Sequence, residues 1–192
     1  MQKKLPGTLV DMAEEHTENP FNAIAPLLTA TGGLTLAQVS EVTGIEPTTI
    51  QNWIKRGWVA SPQAKRYGEA QLMRIILINM LRGSMQLDAI AELMAYINGS
   101  VEDKSDDILS DRELFSRLCR VILRADEHIG DLGVLCQIVS EEVRTFQAPS
   151  RECGEKLKEA LLIMALVYQS TQLKELAMQE YAKIDCSSRG VC

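Results

Sequence analysis

The chain has few aromatic residues, 5% of its 192. Its core must therefore be assembled from Leu, Ile, Val, Met and Ala. With only 12 Gly and 6 Pro, and few of them inside the long stretches, that composition favours helices. Long hydrophobic runs are also missing. The longest, Ala160 to Tyr168, follows Lys156, Lys158 and Glu159; it is too short to cross a bilayer and suits a buried helix turn. The start, Met1-Gln2-Lys3-Lys4-Leu5-Pro6-Gly7, carries charge without the apolar stretch of an export signal, so a cytoplasmic location and no membrane partner are expected. The five cysteines, Cys119, Cys136, Cys153, Cys186 and Cys192, are odd in number and irregularly spaced, which argues against a disulfide framework. The two histidines, His16 and His128, fall in separate segments. No metalloprotease helix, phosphate-binding Gly-Lys-Ser/Thr loop, dinucleotide fingerprint or nucleophile elbow is found. Without a convergent acid, base and nucleophile, the expectation is a protein that is no enzyme and needs no cofactor or metal.

The formal charge of -6 hides an uneven distribution. Between Glu46 and Arg82 lie Lys55, Arg56, Lys65, Arg66, Arg74 and Arg82, opposed only by Glu46 and Glu69, so this stretch is +4 and the rest of the chain -10. A basic island in an acidic chain confines attraction for a polyanion to one region.

Four segments emerge. Residues 1–33 form a leader punctuated by Asn19-Pro20 and Pro26, with a short helix around Phe21 to Leu28 and a Gly32-Gly33 end. Residues 34–97 form a compact helical unit. Residues 98–107 are polar and acidic and suit a linker. Residues 108–192 contain helices only. Ser110 and Glu113 form a capping box, a second helix carries Leu135, Ile138, Val139 and Val143, and a third runs from about Arg151 toward Ile184. The expected fold class is all-α. A helix of that length in so small a domain suggests dimerisation or sensing by the C-terminal part.

The most informative stretch begins at Thr35-Leu36-Ala37-Gln38, a second capping box. Thr43-Gly44-Ile45 makes a tight turn, and Glu46-Pro47 restarts a helix with Pro at its first position. Two short helices about a Gly turn make a helix-turn-helix. In the second, Pro47 to Arg56, Ile50, Trp53 and Ile54 share one side while Thr48, Gln51, Asn52 and Lys55 share the other. Amides pair with adenine edges, ammonium reaches guanine or phosphate, and Thr touches a thymine methyl; the same pattern also suits an ordinary amphipathic surface helix. Next comes Gly57-Trp58-Val59-Ala60-Ser61-Pro62-Gln63-Ala64-Lys65-Arg66-Tyr67, with strand-like Trp58 and Val59, a short wing that would lay Lys65 and Arg66 along phosphates. A nearly all-apolar helix through Leu72, Ile75, Ile76, Ile78 and Leu81 follows, then another with Leu87, Ile90, Met94 and Ile97.

TGIEPTTIQNWIKRGWV resembles the helix-turn-helix of MerR-type regulators, KRYGEAQLMRI the end of their wing and the next helix, and SMQLDAIAEL the helix that closes their domain. The form with Gln-Asn-Trp and a Tyr-Ile-Asn-Gly ending is also similar to an uncharacterised bacterial family that shares this domain. The resemblance covers about a third of the chain. It implies an N-terminal winged helix-turn-helix ahead of the helical C-terminal domain, double-stranded DNA as ligand, and homodimers on palindromic sites. Its DNA-binding residues would be Thr48, Gln51, Asn52, Lys55, Arg56, Lys65, Arg66 and Tyr67. Gln51 and Asn52 stand where such regulators usually offer Arg and Tyr, and the wing is shorter than theirs. Cys186 and Cys192 resemble the paired cysteines of some metal sensors of that type, although two thiols leave most metals short of ligands. The function expected is a DNA-binding transcriptional regulator with an effector left undefined. The alternative is a protein-interaction adaptor that reuses the winged-helix fold without DNA.

Overall fold

Helix α4, Glu69–Leu81, is the hub of the fold: nine of its thirteen residues are buried, as expected of a helix that is apolar nearly all round. The computed structural model describes residues 3–98 and 108–184. Among these are eight α-helices and one two-stranded antiparallel pair, β1 (Lys3–Lys4) with β2 (Asp11–Met12). The remaining helices are α1 (Ala25–Thr31), α2 (Leu36–Thr43), α3 (Pro47–Lys55), α5 (Leu87–Asn98), α6 (Asp111–Ala125), α7 (Leu132–Arg144) and α8 (Arg151–Ala182). The chain is thus mostly helical. No described helix is long and apolar enough to cross a membrane.

Local chemistry sets the helix ends. Thr35 Oγ1 accepts from the Gln38 amide at 3.3 Å and Gln38 Oε1 accepts from the Thr35 amide at 2.9 Å, closing a full capping box on α2. At Ser110 only half of the expected box forms. Its hydroxyl accepts from the Glu113 amide at 3.1 Å, but the Glu113 carboxylate turns to Arg117 at 2.9 Å, because a charged partner one turn on outcompetes a neutral amide. Asp131 and Ser150 cap α7 and α8.

The 1–33 segment is not a detached leader. Leu5, Met12, Phe21, Ile24 and Leu28 are all buried in the main core. Their spacing follows neither a helix nor a strand period, so no pattern announces them. One continuous cluster of buried apolar residues also joins the 34–97 unit to α6, α7 and α8. A buried ion pair, Arg74 to Asp111 at 3.5 Å, ties α4 to the start of α6. Asn98, buried at the end of α5, donates to the Leu109 carbonyl at 2.6 Å and accepts from its amide at 3.4 Å. The expected linker falls almost entirely on residues 99–107, outside the described residues. The chain on its two sides belongs to one core.

Helix α8 would span about 48 Å at ~1.5 Å per residue. Leu157, Ala160, Leu161, Met164, Ala165 and Gln169 bury its first half, whereas every residue from Leu173 to Ile184 is exposed.

Candidate nucleic-acid interface

Helix α3 is held from beneath by Ile50 and Trp53, which are 0% and 2% exposed. Its approach is set by the turn after α2. Gly44 takes the left-handed conformation at φ +70 and its amide reaches the Ser40 carbonyl at 2.8 Å. The Ser40 hydroxyl donates to the Ile45 carbonyl at 2.6 Å, and Ile45 is buried. Anchoring one face of so short a helix leaves the other outward. Thr48, Gln51, Asn52, Lys55 and Arg56 are all exposed.

The exit from α3 corrects one expectation. Trp58 and Val59 do not form a strand. Gly57, at φ +75, donates to the Ile54 carbonyl at 2.9 Å, and the Trp58 amide donates to the Trp53 carbonyl at 3.0 Å. These backbone groups close the helix, as a C-terminal glycine motif does, and are not available for a ladder. Val59 is buried. Trp58 is half-buried, with the Arg56 guanidinium 5.1 Å from its ring centre. A groove of about 360 Å³ separates α3 from the start of α5, with Asn52, Arg56 and Trp58 on one side and Gln86 and Asp88 on the other.

The wing segment ends in a two-residue hairpin. Gln63 and Arg66 exchange backbone hydrogen bonds of 3.1 and 2.8 Å, leaving Ala64 and Lys65 at the tip with φ +49 and +61. Two successive positive φ values define a type I′ turn, which favours Asn-Gly. Neither residue present relieves the Cβ clash, which costs roughly 1–2 kcal/mol per residue. The strained tip is what projects Lys65 into solvent. Replacing Ala64 with Asn should therefore stabilise the protein by about 0.5–1 kcal/mol in urea unfolding, leaving the Lys65 charge in place. An unchanged or lowered midpoint would show that the turn is not strained in solution.

The other end of the segment is anchored. Leu34 and Tyr67 exchange backbone hydrogen bonds of 2.9 and 2.7 Å. The approach is close enough that a Cβ on Gly33, at φ +108, would sit 2.9 Å from the Tyr67 carbonyl oxygen. Arg66 remains exposed but donates from Nη1 to the Gly33 carbonyl at 2.9 Å. Tyr67 is only 3% exposed, and burial raises the pKa of its phenol. It serves as the hairpin's anchor and not as a surface contact, because its side chain belongs to the buried core.

The structure divides the basic island. Arg74 is buried against Asp111. Arg82 is exposed, with Nε on Asn79 Oδ1 at 2.7 Å and its guanidinium 5.8 Å from the Trp53 ring centre. None of Lys55, Arg56, Lys65 and Arg66 forms an ion pair among the described residues, so their charge is not cancelled locally. Sequence reasoning missed Trp58 and Gln86 as groove residues. Trp58 looks like strand, and Gln86 precedes α5 in a stretch whose visible signal is apolar spacing.

No group of three or more His, Cys, Asp and Glu among the described residues could hold a metal ion. Cys186 and Cys192 lie outside the described residues. Cys119 is fully buried and burial raises its thiol pKa, while Cys136 and Cys153 are half-buried.

The geometry is that of a short helix pair with a basic hairpin beside it, carried on a larger, mostly helical body. Residues 27–117 match the family described as "Domain of unknown function (DUF1836)". That match begins in α1 and ends within α6, so it crosses residues 98–107. The chain is also similar to "Uncharacterized protein YkrK" of Bacillus subtilis (strain 168), 26% identical over 97 residues. The similarity covers 48% of this chain and 41% of that relative, less than half of its length. No solved structure gives a significant match.

Proposed function

We propose that this protein is a DNA-binding transcriptional regulator that docks α3 in the major groove of a duplex and rests the Gln63–Arg66 hairpin on the adjacent backbone, in a MerR-like winged helix-turn-helix. One observation carries the reading. The polar face of α3 (Thr48, Gln51, Asn52 and Lys55) is exposed as a unit, beside four cations without carboxylate partners. Amides on a helix that is rigidly seated can read base edges, while Lys65 and Arg66 meet phosphates. The test is selection of bound fragments from random duplex DNA, followed by anisotropy on the selected site. Asn52→Ala should cost about 1–3 kcal/mol on that site and relax preference at one position. An equal loss on selected and random duplexes would remove Asn52 from base reading.

The same reading calls for two copies on a palindromic site. The outer part of α8 offers a surface for the second one. Ile163, Leu166, Leu173, Leu176 and Tyr181 are 39–52% exposed and lie along one broad side of the helix at 100° per residue. Together they leave apolar area on the order of 500 Å² uncovered, comparable with the apolar share of a standard interface of ~800 Å² per partner. Light scattering should give twice the chain mass at micromolar concentration, and Leu173→Glu with Leu176→Glu should return it to the monomer. A wild-type chain that stays monomeric would remove this surface from the scheme.

A further inference from the structure

A cleft of about 620 Å³ lies away from the polar face of α3. It opens where three elements meet: the Leu5–Leu9 turn between β1 and β2, the end of α4, and the middle of α8. Its shape depends on two close approaches. A Cβ on Gly7, at φ +74, would fall 2.5 Å from Met80 Cγ, and one on Gly83 would fall 2.5 Å from Thr171 Cγ2. Asn79 secures the floor, its amide donating to the Gly7 carbonyl at 2.9 Å and to the Thr43 carbonyl, at the end of α2, at 3.0 Å.

The polar groups around this cleft are underused. Lys4, Tyr168, Gln172 and Glu175 line it, and none of them makes a side-chain hydrogen bond or ion pair among the described residues. Arg82 also lines it and spends only Nε on Asn79, leaving both terminal nitrogens open. The phenol of Tyr168 is pushed up to about 12, chiefly by burial, so it stays a hydrogen-bond donor at neutral pH. A cleft within the ~300–1,000 Å³ range of ligand sites, lined by several polar side chains that have no protein partner, has the room and the hydrogen-bonding groups for a small molecule. Two cations against one carboxylate set the sign of the ligand, and a carboxylate matches the guanidinium fork.

We propose that this cleft binds a small organic hydroxy-carboxylate, its carboxylate held by Arg82 and Lys4 and its hydroxyl facing Glu175. The site goes beyond DNA binding and stands without it. It is linked to the base of α3 through Arg82, whose guanidinium lies 5.8 Å from the centre of the Trp53 ring. Occupation would therefore be felt at the helix that presents Gln51 and Asn52.

The experiment is calorimetric titration of the full chain with malate, with its uncharged diamide as control. A parallel titration follows tryptophan emission in Trp58→Phe, which leaves Trp53 as the sole reporter. Malate should give saturable heat and a saturable shift of Trp53 emission, and the diamide should bind at least about tenfold more weakly. Arg82→Gln and Lys4→Gln, each checked for an unchanged melting curve, should each weaken malate by about tenfold. Glu175→Gln should weaken it about threefold, by giving the ligand hydroxyl a neutral acceptor in place of a charged one. Absence of saturable heat up to about 10 mM malate, equal binding of the diamide, or full affinity in both cation variants would overturn the proposal. Tightening by Glu175→Gln would do the same, by showing that Glu175 repels the ligand and accepts nothing from it. None of these outcomes depends on duplex binding, which the anisotropy experiment tests separately.

Discussion

Duplex affinity should fall steeply with salt, with a slope of log affinity against log salt of roughly -3 to -4 per subunit, about -0.9 for each of four neutralised phosphates. The four are Lys55, Arg56, Lys65 and Arg66. Arg74 is excluded because it is buried in an ion pair with Asp111, and Arg82 because it lies over Trp53 on the cleft side of α3. Reversing two of the four, in Lys65→Glu/Arg66→Glu, should weaken binding about 100-fold near 0.1 M salt and flatten the slope by about two. Arg66 also holds the Gly33 carbonyl, so part of the loss in the double variant could come from a loosened hairpin. Lys65→Glu alone keeps that hydrogen bond and should still flatten the slope by about one. Anisotropy of a labelled duplex across a salt series measures all three. If no duplex is bound even at low salt, the adaptor reading replaces the regulator, and the exposed outer half of α8 becomes the surface to test first.

The largest effect on stability should come from Glu142. Its side chain is 5% exposed and accepts from Arg117 at 3.1 Å and from Arg120 at 2.6 Å. Arg117 is itself 8% exposed and lies 4.9 Å from the centre of the Phe146 ring. Arg120 reaches across to the Glu18 carbonyl at 3.3 Å, so the carboxylate joins α6, α7 and the N-terminal segment. Glu142→Ala would strand one buried and one partly buried guanidinium, and should cost about 3 kcal/mol in urea unfolding. That is toward the low end for a broken buried pair, because Arg117 keeps Glu113 at 2.9 Å. Glu142→Gln retains an acceptor and should cost about half as much. A loss below about 1 kcal/mol for the alanine variant would mean that the network is solvated in solution.

How much of this was legible depended on how local the signal was. The Thr35–Gln38 box, the Gly44 exit, Pro47 at the start of α3 and the Ser150 start of α8 each lie within a few residues of what they control, and the observed helix bounds follow them. The burial of α4 was equally plain, because an apolar helix has nowhere else to go. The N-terminal segment was not legible: Leu5, Met12, Phe21, Ile24 and Leu28 earn their burial from partners far away in the chain. Glu142 looks like any surface acid until α6 supplies two arginines. At the candidate site the outward face of α3 could be read from periodicity. Tyr67 could not be told from a surface aromatic, because its partner Leu34 is remote in sequence. The hairpin tip was hidden because Ala64-Lys65 carries none of the turn chemistry that a type I′ geometry prefers.

The clasp between Asn98 and Leu109 makes one side chain the fastener between the end of α5 and the approach to α6. A single buried amide answers both the donor and the acceptor of a residue eleven positions on. An apolar residue at position 98 would therefore leave two backbone groups to find other partners at once, a cost of about 1–3 kcal/mol for each that found none.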